Sequence, residues 1–175
     1  MLNTQCEFTW DVVAPNRGVR GRAGSSTIRN LRLVAEEVCE CESELCESPA
    51  ETVKFMAGAF AQFPDQEQFW MIPLNRKNRA LGRQLITVGT VCSTLASPRE
   101  VFRAAILASA SGVVVVHNHP SGDSTPSAAD IRMTRTLKMA GEVIDIPLLD
   151  HVVIGDPRHD PSGLGYYSFR QAGMI

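Results

Sequence analysis

The chain has 175 residues, of which 44% are hydrophobic and 21% charged, enough apolar material for a core and too little charge for a mainly disordered chain. Seventeen Lys and Arg against nineteen Asp and Glu leave a net charge of -2, which disfavours a protein that grips DNA mainly through its phosphates. The longest apolar stretch, Ala104 to Val116, is interrupted by Ser109, Ser111 and Gly112 and is too short to cross a bilayer.

The length suits one compact domain with an appendage. Met1 to Val13 has neither the basic start nor the apolar run of a secretory signal. The five cysteines then read as reduced thiols rather than a disulfide framework. The expectation is a cytoplasmic protein with no membrane partner.

Residues 1–48 read as an N-terminal extension, and residues 49–175 as the domain. The extension opens with a Phe8/Trp10/Val12 alternation, a lone strand that could pair with a second copy by edge addition and so give a homodimer. A glycine-rich loop follows with Arg17, Arg20 and Arg22, a solvated surface that could also touch phosphate. From Arg29 to Glu47 the spacing predicts a helix with an acidic exposed side. Cys39, Cys41 and Cys46 lie on it, but on a helix Cys39 and Cys41 point roughly 200° apart, so ordinary thiols are expected there rather than a zinc site.

Ser48-Pro49-Ala50-Glu51 has the N-cap, N1 proline and N3 glutamate of a capping box, and opens a helix carrying Val53, Phe55, Met56, Phe60 and Phe63 that Pro64-Asp65 should end. Gln68 to Asn75 and Gln84 to Val91 read as adjacent antiparallel strands. Pro73 argues for an edge or a bulge in the first of them. Ser97-Pro98-Arg99-Glu100 is a second capping box and starts a helix that Gly112 ends. Val113 to Val116 is an unbroken β-branched run, the mark of a strand buried on both faces. A helix from Thr125-Pro126 to about Gly141 follows, then a strand from Leu148 to Ile154. This order of elements points to an α/β sandwich with a mixed sheet flanked by helices.

Chemistry concentrates after the valine run. His117 and His119 sit at positions i and i+2 of a strand end, so both imidazoles project to one side and can converge on a metal. Asp130, in the first turn of the next helix, is the candidate third ligand; Ser127-x-x-Asp130 is also a capping box in its own right. Two imidazoles and a carboxylate leave a fourth tetrahedral position open for water, as in a catalytic zinc site. Asp150-His151 is a further acidic and basic pair, but strand neighbours face opposite sides, so supporting or structural roles are expected. His159 reads as surface. The letters His117-Asn118-His119 do not make an HNH nuclease, whose residues are dispersed, and no phosphate-binding GxxxxGK[ST] loop is present.

The fourteen residues from His117 to Asp130, HNHPSGDSTPSAAD, resemble the JAMM (MPN+, JAB) metalloprotease motif: HxHP, six residues, then SxxD. The nearer resemblance is to the RadC-like branch of bacterial JAB-domain proteins, over about Asp65 to Met174. It includes HNHPSGD, the later Leu149-Asp150-His151-Val-Val-Ile-Gly155 and the ending Tyr166-Tyr-Ser-Phe169. The resemblance implies a cytidine-deaminase-like α/β fold of JAB/MPN type, with Zn2+ held by His117, His119 and Asp130. It also implies a catalytic glutamate at the start of the first core strand, the place of Glu67, and an oxyanion-binding serine, the place of Ser127. Glu100 is the rival glutamate, although the Ser97 capping box already employs it.

The chain departs from the family in two ways. Residues 1 to 50 lack the glycine-centred hairpin of a helix-hairpin-helix region, which weakens a DNA role, and Pro73 and Asn75 stand where an apolar residue and an aspartate are usual. Two functions of different class are expected on this basis. One is a zinc-dependent metallopeptidase or isopeptidase acting on a protein or peptide substrate. The other is a DNA-repair or mobile-element binding module with a structural zinc and no hydrolytic activity.

Overall fold

A computed structural model describes residues 46–89 and 96–175. The extension with its Trp10 strand and arginine loop, the helix expected from Arg29, Cys39 and Cys41 lie outside the described residues, as do Thr90 and Val91 of the second strand. The described elements are α1 (Pro49–Phe55), β1 (Glu67–Leu74), β2 (Gln84–Gly89), α2 (Pro98–Leu107), β3 (Gly112–Asn118), α3 (Ala128–Val143), β4 (Leu148–Ile154) and β5 (Tyr166–Ser168). They follow the order expected from the sequence, with β5 added.

The five strands form one mixed sheet in the order β2-β1-β3-β4-β5. β1 is antiparallel to both β2 and β3, β3 is parallel to β4 as the crossover through α3 requires, and β4 is antiparallel to β5. All seven residues of β3 are buried, because helices cover both sides of the sheet. Beneath α2 and α3, Phe69, Met71, Val113, Val115 and Leu148 pack with Val101, Phe102, Ala105 and Leu137. On the opposite side, Trp70, Ile72, Leu74, Val114, Val116 and Val152 pack with Phe55, Met56 and Ala59 from the α1 region.

Two expectations require correction. The first helix stops at Phe55 instead of continuing to Phe63: Met56 caps it, Gly58 takes φ 76°, and the chain proceeds by tight turns such as Ala59 N–H to Met56 O. The buried Gln68 amide then donates to the carbonyls of Phe60 and Phe63, supplying partners that helix continuation would otherwise provide. Pro73 marks neither an edge strand nor a bulge, since β1 lies inside the sheet and its irregularity falls between Phe69 and Trp70. The proline is tolerated because the β1–β2 ladder ends at Met71 opposite Gln84. Pro73 O, on the β2 side, accepts from Leu81 N–H instead, so the missing N–H breaks no pair there.

Candidate metal centre

β3 ends in His117-Asn118, and His119 follows it directly. α3 begins just beyond, capped by Ser127, so that the strand end and the helix start meet at one end of the sheet. His117 Nε2 lies 3.1 Å from His119 Nε2 and 3.4 Å from Asp130 Oδ1, and His119 Nε2 lies 3.7 Å from Asp130 Oδ2. Two nitrogens and an oxygen at about 2.0–2.1 Å from a tetrahedral ion would stand about 3.4 Å apart. The three side chains offer donors at that spacing, and among the described residues they are the group of His, Cys, Asp and Glu side chains that could hold a metal ion.

The helix cap and the candidate ligand are one residue. Asp130 Oδ2 accepts from Ser127 N–H at 2.7 Å while Ser127 Oγ accepts from Asp130 N–H at 3.2 Å, and the same carboxylate faces both imidazoles. The capping box therefore fixes the aspartate's rotamer rather than competing with a ligand role. Burial alone would push the Asp130 carboxyl up. Its bonds to His117, His119 and Ser127 more than reverse this and hold it well below the usual carboxylate range. His119 is half-buried, which lowers its pKa, but Asp130 and the carbonyl of Asp123 outweigh the burial and raise it, with the Glu67 charge adding to the effect. The bond from His119 Nδ1 to Asp123 O, 2.7 Å long, must carry the ring's N–H, since a carbonyl only accepts. The neutral ring thereby turns a bare Nε2 toward His117 and Asp130, which is the form a metal requires.

Glu67 begins β1, and its position follows from register. Phe69 lies opposite His117 in the β1–β3 pair and stacks on its ring at 6.0 Å, so Glu67, two residues earlier, shares that face. Asn118, between the two histidines, holds both neighbours of Glu67: its Oδ1 accepts from Gln68 N–H at 2.8 Å and its Nδ2 donates to Gln66 O at 3.1 Å. Glu67 is half-buried. The rival Glu100 is turned to its own helix, accepting from Ser97 N–H at 3.0 Å, and that bond, with the Ser97 side chain, lowers its pKa. Ser127 is exposed; accepting from Asp130 occupies a lone pair and leaves the hydroxyl hydrogen available.

The Asp150-His151 pair separates as strand geometry requires. Asp150 accepts from Ser168 Oγ and from the backbone of His151 and Arg170, bracing the C-terminal segment; burial raises its pKa despite these bonds. His151 turns inward. It is fully buried, its Nε2 lies 2.8 Å from His117 Nδ1, its Nδ1 lies 2.6 Å from Thr134 Oγ1, and Phe169 stacks on its ring at 4.7 Å. Burial, reinforced by repulsion from His117, drives its pKa well below that of a free imidazole, so it is neutral. Thr134 and Phe69 were not singled out from sequence, and Phe169 entered only as the last residue of the Tyr166-Tyr-Ser-Phe169 ending. Thr134 had a usable signal, since it lies four residues beyond Asp130 on the same helix face. His159 is exposed beside Asp156, and no helix of the described residues is long and apolar enough to cross a membrane.

A mixed sheet between helices, with HxH at the end of its central strand and the aspartate at the next helix start, defines a JAB/MPN-type α/β domain. Residues 46–174 match the model of the RadC-like JAB domain, and the chain belongs to that family. Among curated proteins it is 39% identical to a UPF0758 protein of Desulforamulus reducens over 166 residues, covering 93% of this chain and 66% of the relative. It is 43% identical over 132 residues to UPF0758 protein STH371 of Symbiobacterium thermophilum, covering 75% of this chain and 53% of the relative. It is 50% identical over 92 residues to a UPF0758 protein of Desulforudis audaxviator, covering 53% and 40%. The matches thus span about two fifths to two thirds of the relatives' lengths.

Proposed function

We propose that the chain is a zinc-dependent metallohydrolase that cleaves peptide or isopeptide bonds in a protein substrate, in a cytoplasmic setting. The observation that carries this reading is the donor set: two imidazole nitrogens 3.1 Å apart, with the two oxygens of the Asp130 carboxylate 3.4 Å from one and 3.7 Å from the other, and a glutamate on the same face. A zinc ion held by His117, His119 and Asp130 would make water a nucleophile at neutral pH and polarise a carbonyl. Glu67 is the group placed to accept the water's proton and deliver it to the departing amine. Ser127, with its hydroxyl hydrogen uncommitted, is placed to donate to the oxygen on which charge develops. The buried surroundings of His117 and Asp130 strengthen every charge interaction at this end of the sheet.

The test has two stages. Elemental analysis of chain purified without chelators should give about one zinc per molecule, and none for the His117→Ala, Asp130→Ala double variant. Peptide and isopeptide-linked substrates should then be hydrolysed by the native chain and not by Glu67→Gln, with zinc retained in that variant. Folded native protein that neither contains nor takes up zinc would sink the reading.

A further inference from the structure

We propose that Thr134 and His151 are positioning residues: a hydrogen-bond relay through them fixes which nitrogen of His117 carries its proton and so sets the metal affinity of the site. The proposal rests on the metallohydrolase reading, which needs His117 as a ligand.

The relay is read from its far end. Thr134 Oγ1 lies 2.7 Å from Asp130 O, the carbonyl one helical turn back, and donates to it. A carbonyl cannot donate and the hydroxyl has one hydrogen, so the hydroxyl's contact with His151 Nδ1 at 2.6 Å must be a bond it accepts. His151 therefore carries its proton on Nδ1, and as a neutral ring it has a bare Nε2. His117 Nδ1, 2.8 Å from that bare nitrogen, is then the donor. The remaining nitrogen of His117, Nε2, is left with its lone pair turned to His119 Nε2 and Asp130 Oδ1 at 3.1 and 3.4 Å. The reverse direction of donation would put a proton on His117 Nε2, among the donors a metal needs. Asp130 anchors both ends of the circuit, its carboxylate facing His117 and its carbonyl holding Thr134. Phe169 stacked on His151 and Phe69 stacked on His117 keep both rings from turning over and exclude water that could substitute for the relay.

A β-bulge makes the relay possible. Val113 pairs with Leu148 but Val114 pairs with Asp150, so β4 has one extra residue there. Leu148 and His151, three residues apart, consequently both serve the face beneath α2 and α3, where plain alternation would have turned His151 away.

The experiment compares the native chain with Thr134→Val, which deletes the hydroxyl, Thr134→Ser, which keeps it, and His151→Gln, whose side-chain oxygen can replace the accepting Nε2. Zinc affinity is measured by competition with a chromophoric chelator, and the cobalt-substituted proteins are compared by their visible absorption. The expected result is a loss of affinity of about 10–100-fold in Thr134→Val with an altered cobalt spectrum, and affinity within about threefold of native in Thr134→Ser and His151→Gln. Thermal unfolding of the metal-free proteins shows whether each variant is folded. Ring nitrogen shifts of the metal-free native chain read the relay without any metal, and should show His151 protonated at Nδ1 and bare at Nε2. Native affinity in a folded Thr134→Val, or a His151 protonated at Nε2, overturns the proposal. A native chain that takes up no zinc while His151 shows the expected tautomer overturns the metallohydrolase reading and the affinity claim, but leaves the direction of the relay established.

Discussion

The two faces of the sheet use the same strands for different ends. Toward α1, β1, β3 and β4 present Trp70, Ile72, Val114, Val116 and Val152, a buried and mainly apolar surface whose charged members are Arg83, lying over the Trp70 ring and donating to Phe55 O, and Asp150, opposite Val114 and bonded to Ser168. Toward α2 and α3, the strands start in the same way, with Met71, Val113, Val115 and Leu148. At one end that face changes character to His117 and His151, both fully buried, with Asp130 reaching in from α3. The difference shows how a buried polar cluster is tolerated in a small domain. It is confined to one corner, each member has a partner, and the mainly apolar face behind it supplies the rigidity.

That contrast predicts separable losses. The largest expected effect is on metal: Asp130→Ala should take zinc from about one per chain to none, as read by elemental analysis, while circular dichroism shows a folded domain. On the opposite face, Trp70→Ala removes a fully buried indole and should cost about 3–5 kcal/mol of stability in urea unfolding. Zinc per folded chain should stay unchanged there; its loss would mean that the faces are not separable. Asn118→Ala tests the link between them. It releases Gln66 and Gln68 on either side of Glu67, and hydrolysis should fall by about tenfold to a hundredfold, as a misplaced catalytic group does, with zinc affinity within about threefold of native. If zinc is lost along with activity, Asn118 supports the ligands and not the glutamate.

The smallest effect is expected outside both faces. Hydrogen bonds from the Ser124 and Ser162 hydroxyls, and from Gly165 N–H, hold the Asp160 carboxyl at about 2, below the roughly 3.9 of an unfolded chain. A depressed carboxylate stabilises the fold fully above the unfolded value and loses that contribution as pH falls through the folded one. Metal-free native protein should therefore lose stability between about pH 4 and pH 2 more steeply than Asp160→Asn. Parallel acid limbs in the two proteins would remove Asp160 from the account.

Much of this was legible in the sequence because it rests on local rules. The three capping boxes at Ser48, Ser97 and Ser127 involve residues three apart, and each of the described helices starts one residue after its box serine, α3 at Ala128 rather than at Thr125-Pro126. The valine run announced the strand buried on both faces, and the i and i+2 spacing of His117 and His119 set both rings to one side of its end. The short first helix and the interior position of β1 were not legible, because they depend on contacts made at a distance. Gln68 captures carbonyls of the segment that would have continued the helix, and Pro73 faces a stretch where β2 has already ended.

By itself the sequence determined the fold class, the donor residues and the chemistry their types allow, since these follow from periodicity, spacing and side-chain identity. Only the tertiary structure decided what surrounds those donors. The rank of β1 within the sheet put Glu67 on their face, and Asn118 reached across to hold it. One extra residue in β4 reversed the direction of His151, bringing it between His117 and Thr134. A bulge changes which face a side chain serves without changing its spacing along the chain, so no reading of local pattern reveals it.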